Sequence, residues 1–274
     1  IIKENLVDKI SKIKSKKKSS FYSIDKSIAG ESHHKKVSRV SSFLKRNKYD
    51  YLFITAPENV AWLLNIRGYD SPTSPIPNSN LLLTKEKQVF LIVEKNKTTK
   101  LLREKKLKQN QIIDPKYILD FFDKLKKGTI LIDEKTCSLY FEKVIEKKLK
   151  IKKKEDPIYI LKSIKNKIEI KNMINAHVID GVALTKFIYW IKNLKKMNIT
   201  EVDAQNKLEQ IRRMNSKYLF PSFNTIAGSG KNGAIVHYRA TKNNTKLIKK
   251  NEIFLCDSGG QYKYGTTDVT RTIC

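Results

Sequence analysis

The sequence predicts an α/β domain followed by an α+β domain. Apolar patterns of helix and strand period alternate over residues 33–156, whereas after residue 157 two helical patterns precede a series of short strands. The segment 152–157 is charged and ends in proline, which places the domain boundary near residue 156. Residues 1–32 hold a Lys/Ser run with little apolar periodicity and predict a linker or the end of an upstream domain.

The first domain begins with a helix whose apolar face carries Val37, Val40, Phe43 and Leu44. A strand over 51–55, a helix over 58–64 and a hairpin formed by 80–84 and 89–93 follow. Further helices are expected at 98–106, 117–126 and 138–149, alternating with strands at 111–113 and 129–132. The sequence contains neither G-x-G-x-x-G nor G-x-x-x-x-G-K, so we interpret this domain as a scaffold rather than a nucleotide-binding domain.

The second domain begins with a long helix that carries Ile170, Ile174, Val178 and Val182 at four-residue spacing. A second helix is predicted to start at Thr200, where Thr200 and Asp203 form a capping-box pattern. Four strands are then expected, at 223–227, 234–238, 253–256 and 266–272. This order of elements is typical of an α+β domain.

Composition excludes several classes of protein. The net charge is +29, but it is diffuse, and only 8 of the 56 basic residues are arginine, so we expect a solvated lysine-rich surface and no nucleic-acid partner. No apolar run approaches the roughly 18 residues that a membrane span needs. The three cysteines are far apart and odd in number, which indicates a reducing compartment and a cytoplasmic location.

Two aspartates near the C-terminus carry the strongest chemical signal. A hairpin centred between Tyr262 and Lys263 would place Asp257 directly opposite Asp268, with Cβ atoms about 5 Å apart. Two like charges so placed need a compensating cation or a shared proton. Hard oxygen ligands at this spacing suit two divalent ions about 4 Å apart, which can activate a bridging water. The alternative, that the aspartates cap turns beside glycines, stays open at this point.

Three segments resemble one enzyme family. The segments 257–262 and 265–272 resemble the first metal-binding hairpin of the Xaa-Pro aminopeptidases, the aminopeptidase P branch of the pita-bread metallopeptidases of family M24. Segment 230–238 resembles the family's strand that bears an active-site histidine, and segment 61–70 its N-terminal region. The resemblance implies an α/β creatinase/prolidase-like N-terminal domain, followed by an α+β pita-bread catalytic domain that is incomplete at its C-terminus.

The resemblance also implies an activity. It is the hydrolysis of the bond between an N-terminal residue and a following proline, by a hydroxide that bridges two divalent ions, expected to be Mn²⁺. Asp257 and Asp268 would be the first two of five metal ligands, and His237 would orient the substrate and stabilise negative charge on its carbonyl oxygen. The other three ligands would follow Cys274, so the chain alone is expected to be inactive. The family further implies a homodimer and a peptide substrate with proline in second position.

Other residues and other functions remain as alternatives. Arg67 follows a short helix and either approaches the substrate or the partner subunit, or stabilises the C-terminus of that helix. Thr270 and Arg271 are expected to support the metal-binding carboxylates. His33 is expected to be a solvated surface residue. The alternative functions are prolidase, which cleaves Xaa-Pro dipeptides, and a non-catalytic pita-bread binding protein that uses its basic surface.

Overall fold

The computed structural model describes residues 20–194 and 198–274. The chain divides into two compact units, Ile1–Lys165 and Asn166–Cys274. This division lies beyond the boundary expected near residue 156, because Asp156 and Ile158 are buried in the first unit. The Asp156 carboxylate accepts hydrogen bonds from Asn59 Nδ2 and from the Ile158 backbone N–H.

The elements of the first unit follow the predicted alternation of helices and strands. The strands are β1 Tyr22–Ser23, β2 Tyr51–Ile54, β3 Ile66–Arg67, β4 Asn80–Thr84, β5 Val89–Ile92, β6 Ile112–Ile113, β7 Thr129–Ile132 and β8 Lys150–Lys153. The helices are α1 Lys26–Ala29, α2 His33–Arg46, α3 Pro57–Leu64, α4 Thr99–Arg103, α5 Ile118–Asp123, α6 Leu139–Ile145 and α7 Ile158–Ser163.

A six-stranded mixed sheet forms the centre of the first unit. Its strand order is β6-β5-β4-β2-β7-β8, with β2 parallel to β7 and antiparallel to β4. Alternate residues of β2 lie in different core clusters: Leu52 and Ile54 belong to one, Tyr51 and Phe53 to the other. Successive side chains of a strand point to opposite faces, so the sheet is covered by apolar packing on both faces.

Two parts of the first unit differ from the sequence prediction. The edge strand β8 was not expected, because its Lys-Ile-Lys-Lys sequence is largely exposed and lacks an apolar pattern. Within the expected linker, β1 pairs with β3 and Phe21 is fully buried in the core. The linker prediction is therefore wrong for residues 20–32, and the Lys/Ser run at 15–19 lies outside the described residues.

The second unit begins with two helices and continues with short strands. The helices are α8 Lys167–Lys192 and α9 Glu201–Arg213, and the strands are β9 Tyr218–Pro221, β10 Ile226–Ser229, β11 Phe254–Ser258, β12 Gly260–Tyr262, β13 Gly265–Thr266 and β14 Val269–Ile273. The capping box predicted at the start of α9 is present, since the Thr200 side chain accepts from the Asp203 N–H and the Asp203 side chain accepts from the Thr200 N–H.

These strands form two three-stranded antiparallel sheets, with strand orders β10-β11-β14 and β13-β12-β9. The core of the unit lies between the helices and one face of the first sheet. Leu184, Phe187 and Leu208 from the helices cluster there with Phe254 and Cys256 from β11. Residue 257 alternates with these buried positions, so Asp257 lies on the opposite face of the strand.

The long helix α8 forms as predicted, but its predicted apolar face is not its buried face. Ile170, Ile174, Val178 and Val182 are 47%, 58%, 61% and 52% exposed. The buried residues of α8 are Ala176, Asp180, Ala183, Leu184, Phe187 and Ile191. Among the described helices, none is both long and apolar enough to span a membrane.

Candidate metal centre

The hairpin that carries both aspartates has a different register from the one predicted. Asp257 on β11 pairs with Thr270 on β14, and Tyr262 on β12 pairs with Gly265 on β13. The pairing of β11 with β14 and that of β12 with β13 are both centred on the two-residue turn at 263 and 264. Asp257 is therefore not directly opposite Asp268, and the predicted centre between 262 and 263 is wrong by one residue.

The side chain of Tyr262 explains this register. Its ring is 4% exposed, and its hydroxyl donates to Asp180 Oδ1 at 2.7 Å. Burial raises the pKa of Tyr262 well above its ordinary value, and the adjoining Asp180 carboxylate raises it further, so the phenol remains a donor. A residue anchored in this way stays in β12, and the turn falls on the exposed residues Lys263 and Tyr264.

The two aspartates differ in their surroundings. Asp257 is half-buried, and its Oδ1 accepts a hydrogen bond from the Thr270 hydroxyl at 2.8 Å. Asp268 is exposed and lies outside the strands, immediately after the buried Thr267. Asp268 precedes Thr270, the partner of Asp257, by two positions, so the two aspartates are offset along the hairpin rather than directly opposite each other.

The two aspartates offer the type of ligand that a hard divalent cation prefers. Asp257 and Asp268 supply carboxylate oxygens, the ligands that Mg²⁺, Ca²⁺ and Mn²⁺ prefer. Such ions take six or more oxygen ligands, some of which are water. Within residues 20–194 and 198–274, no group of three or more His, Cys, Asp or Glu side chains could hold a metal ion. The two aspartates therefore match part of a metal centre.

His237 does not lie on a strand. The prediction of a strand over 234–238 is wrong, because Gly230–Ala234 forms a 3-10 turn and the chain turns again before Tyr238. His237 is exposed and has a φ of 56°, in the left-handed region that costs a non-glycine residue about 1 kcal/mol. Its ring is therefore presented on a strained turn and not in a sheet.

A buried carboxylate holds this turn in place. Glu201, the first residue of α9, is 0% exposed. It accepts hydrogen bonds from the Tyr238 hydroxyl at 2.8 Å and from Asn232 Nδ2 at 2.9 Å, as well as from the backbone N–H groups of Ser229 and Lys246. Tyr238 and Asn232 flank His237 in sequence, so Glu201 fixes both arms of the turn that carries the histidine.

The arginines named from the sequence contact backbone carbonyls. The Arg67 guanidinium donates to the carbonyl oxygens of Ala61 and Ile66, at the end of α3, in agreement with a helix-terminal role. Arg271 is exposed and donates to the Thr270 carbonyl at 2.7 Å. In the described part of the chain, no ion pair joins Arg271 to Asp268, so the geometry does not show the expected support of that carboxylate.

Comparison with known families agrees with this arrangement. Residues 13–169 match the creatinase/prolidase N-terminal domain, and residues 171–274 match metallopeptidase family M24. The first of these matches covers more than half of the chain.

The chain belongs to the creatinase/prolidase family of M24 metallopeptidases.

Two relatives of the M24 chain carry the name of an aminopeptidase. The chain is 35% identical over 258 residues to the Aspergillus niger protein named "Probable Xaa-Pro aminopeptidase P", covering 89% of this chain and 42% of that protein. It is 34% identical to "Xaa-Pro aminopeptidase ApepP" of Drosophila melanogaster, covering 87% of this chain and 40% of the relative. The M24 chain thus spans less than half the length of these relatives.

Solved structures support the fold of the M24 chain. The X-prolyl aminopeptidase of Caenorhabditis elegans, described as a cytosolic enzyme with a di-nuclear active site, superposes with a TM-score of 0.85 at 26% identity, over 98% of this chain and 46% of that one. The prolidase of Pyrococcus horikoshii superposes with a TM-score of 0.66 at 26% identity, over 87% of this chain and 64% of that one. The predicted fold, a creatinase N-terminal domain followed by a pita-bread domain, is confirmed.

Sequence reasoning missed three buried residues around this candidate site. Asp180, Glu201 and Arg212 are the charged residues buried around the hairpin and the His237 turn. Charged side chains are rarely fully buried unless they are paired, so their burial is informative only once the fold is known. No local pattern singled them out: Asp180, for example, lies between the predicted apolar positions 178 and 182, where a solvated residue is expected.

Proposed function

We propose that the full-length gene product is an Xaa-Pro aminopeptidase, and that this chain supplies its N-terminal scaffold, as the first unit, and the first part of its catalytic domain, as the second unit beginning at Asn166. The observation that carries the proposal is the hairpin: in a chain of the M24 family, Asp257 is fixed on β11 by Thr270, and Asp268 lies immediately before the returning strand β14, two positions ahead of Thr270. The C. elegans neighbour, described as having a di-nuclear active site, supports two divalent ions, which we propose to be Mn²⁺.

Different residues of this chain would bind the metal ions and contact the substrate. Asp257 and Asp268 would hold the two ions, which when bound supply Lewis acidity and lower the pKa of water. His237, held on its turn by the neighbours that Glu201 binds, is exposed and able to donate a hydrogen bond to a substrate carbonyl oxygen as negative charge develops there. Asp257 would keep its orientation during the reaction because the Thr270 hydroxyl bonds Oδ1.

The substrate is proposed to be a peptide with proline in second position, and the assembly a homodimer located in the cytoplasm. The description of the C. elegans neighbour as cytosolic supports the location, as do three free cysteines. The names of the A. niger and D. melanogaster relatives support the substrate class. The 274-residue chain on its own is proposed to be inactive, because in its described residues no third metal-ligating side chain joins Asp257 and Asp268.

The test compares two substrates with the full-length gene product loaded with Mn²⁺. An Xaa-Pro-Yaa tripeptide should be cleaved faster than an Xaa-Pro dipeptide, and cleavage should disappear in Asp257→Asn and Asp268→Asn. Asp120→Asn, an exposed aspartate in the first turn of α5, serves as the control and should retain activity. Preference for the dipeptide would identify a prolidase. No turnover of either substrate by the metal-loaded protein would favour the non-catalytic binding protein.

A further inference from the structure

One buried ion pair lies beneath the hairpin of the second unit. Asp180 on α8 and Arg212 on α9 are 0% and 1% exposed. Arg212 Nε and Nη2 donate to the two carboxylate oxygens of Asp180, at 2.7 Å and 3.1 Å. This bidentate geometry fixes the plane of the guanidinium, so its other N–H groups point in defined directions.

Those N–H groups reach the residues that follow Asp257. Arg212 Nη2 donates to Ser258 Oγ at 3.0 Å, and Nη1 donates to the Gly259 carbonyl oxygen at 3.3 Å. Ser258 is fully buried and is the direct neighbour of Asp257. A displacement of the Arg212 guanidinium therefore displaces the backbone from which the Asp257 carboxylate projects.

The carboxylate of the pair holds the other end of the hairpin. Asp180 Oδ2 accepts from the Thr267 hydroxyl at 2.9 Å, and Oδ1 accepts from the Tyr262 hydroxyl at 2.7 Å. The Thr267 hydroxyl in turn accepts from the Gly260 N–H at 2.9 Å. Thr267 is 1% exposed and immediately precedes Asp268, so Asp180 fixes the backbone at the second aspartate as Arg212 does at the first.

We propose that Asp180 and Arg212 are positioning residues for the metal centre, setting the relative placement of Asp257 and Asp268 by anchoring Ser258 and Thr267. The inference rests on the proposed function, because it takes both aspartates as metal ligands. A buried ion pair adds little net stability, since desolvation offsets much of the attraction. A metal centre, in contrast, requires its ligands to be held to within about 0.5 Å, and the contacts of this pair supply such constraint.

Two substitutions in the full-length gene product test the inference at different points. Arg212→Lys keeps the positive charge but loses the planar guanidinium that contacts both Asp180 oxygens. Thr267→Val removes the hydroxyl and keeps the shape of the side chain. Both should raise the Kd for Mn²⁺, measured by calorimetry, by about 10- to 100-fold and change the electron paramagnetic resonance spectrum of the bound ions. Thr267→Ser, which restores the hydroxyl, should restore the wild-type Kd. The matched control is Arg213→Lys, whose exposed side chain pairs with Glu209 and should leave the Kd unchanged.

The outcomes separate this inference from the proposed function. A merely structural role predicts that Thr267→Val lowers the melting temperature and leaves the Mn²⁺ Kd and the spectrum unchanged. That result, together with loss of metal in Asp268→Asn, overturns the positioning role alone. Retention of Mn²⁺ by Asp268→Asn overturns the proposed function itself, and the positioning role with it. If Arg212→Lys does not fold, the comparison of Thr267→Val with Thr267→Ser decides.

Discussion

The Thr270 hydroxyl donates a 2.8 Å hydrogen bond to Oδ1 of Asp257, its direct partner across the β11–β14 ladder. Groups that orient a metal ligand typically contribute about 10- to 100-fold to metal affinity. Thr270→Val in the full-length gene product should therefore weaken Mn²⁺ binding by a factor in this range, as measured by calorimetry. Thr270→Ser keeps the hydroxyl and should bind Mn²⁺ like the wild type. Equal Kd values for the two variants would show that this hydrogen bond does not orient the ligand.

Glycine is required at residue 259 by the close approach of the backbone. A Cβ atom there would overlap the Thr267 carbonyl oxygen and Ser222 Oγ, which are joined by a hydrogen bond of 2.8 Å. Gly259→Ala should destabilise the second unit by about 2–3 kcal/mol, measured by urea unfolding with Trp190 fluorescence. Gly181→Ala is the matched control: in α8 nothing lies within 4 Å of the added Cβ, so it should stabilise by about 0.5–1 kcal/mol. Wild-type stability of Gly259→Ala would contradict the packing seen here.

The central sheet of the first unit depends on Leu131 in β7. Its side chain is 0% exposed and lies in the larger core cluster. Leu131→Ala should lower the free energy of unfolding of the first unit by about 2–5 kcal/mol, through lost burial and a residual cavity. Trp62 fluorescence in a Trp190→Phe background reports on this unit. Leu139→Ala, at a leucine that is 68% exposed, should change stability by no more than about 0.5 kcal/mol.

His33 should make the first unit sensitive to acid. Contrary to the expectation of a solvated residue, burial lowers the pKa of His33 to about 4, and the adjacent Lys106 and His34 contribute. Above pH 6.5 the ring is neutral in both the folded and the unfolded state. Between pH 6.5 and 4 the unfolded chain binds a proton that the folded chain does not, so the free energy of unfolding falls as the pH falls, by about 1–2 kcal/mol after allowance for partial exposure.

Urea unfolding at pH 7 and pH 4.5 measures this loss, with Trp62 as the probe. His33→Asn should reduce the difference between the two pH values. Lys106→Met removes the cation whose Nζ lies 2.9 Å from His33 Nδ1, which raises the pKa of His33 in the folded state and so makes the loss smaller. Because burial is the largest cause of the lowered pKa, we expect this reduction to be small. An unchanged pH dependence in His33→Asn would assign the acid sensitivity to other groups.

The sequence predicts the element order well wherever one face of an element is apolar. The stripe of Val37, Val40 and Leu44 predicted α2, and all three residues are buried. Val236 shows where prediction from a local pattern fails. It belongs to an apolar run that predicts a strand, yet it is 82% exposed, because the hydrogen bond from the Tyr238 hydroxyl to Glu201 holds this segment in a turn. A contact between residues 37 positions apart leaves no trace in a local pattern.

In the candidate site too, features set by neighbouring residues could be predicted, whereas features set by residues distant in sequence could not. The hairpin between Asp257 and Asp268 could be predicted from its glycines and alternating residues, but its register could not. The register depends on the hydrogen bond from Tyr262 to Asp180, which lies 82 positions earlier in the chain. The difference of one residue in the turn changed the partner of Asp257 from Asp268 to Thr270.

The common centre of the β11–β14 and β12–β13 pairings also affects how the site forms. All the backbone pairing of β11 with β14 and of β12 with β13 closes through the turn at residues 263 and 264, so the loop that must close is short. Contacts of short sequence separation form early and quickly, because little chain entropy is lost before they are made. A hairpin of this kind can therefore form within microseconds. The distant Asp180 and Arg212 fix its final geometry, so the complete site also requires contacts from two helices that are far from the hairpin in sequence.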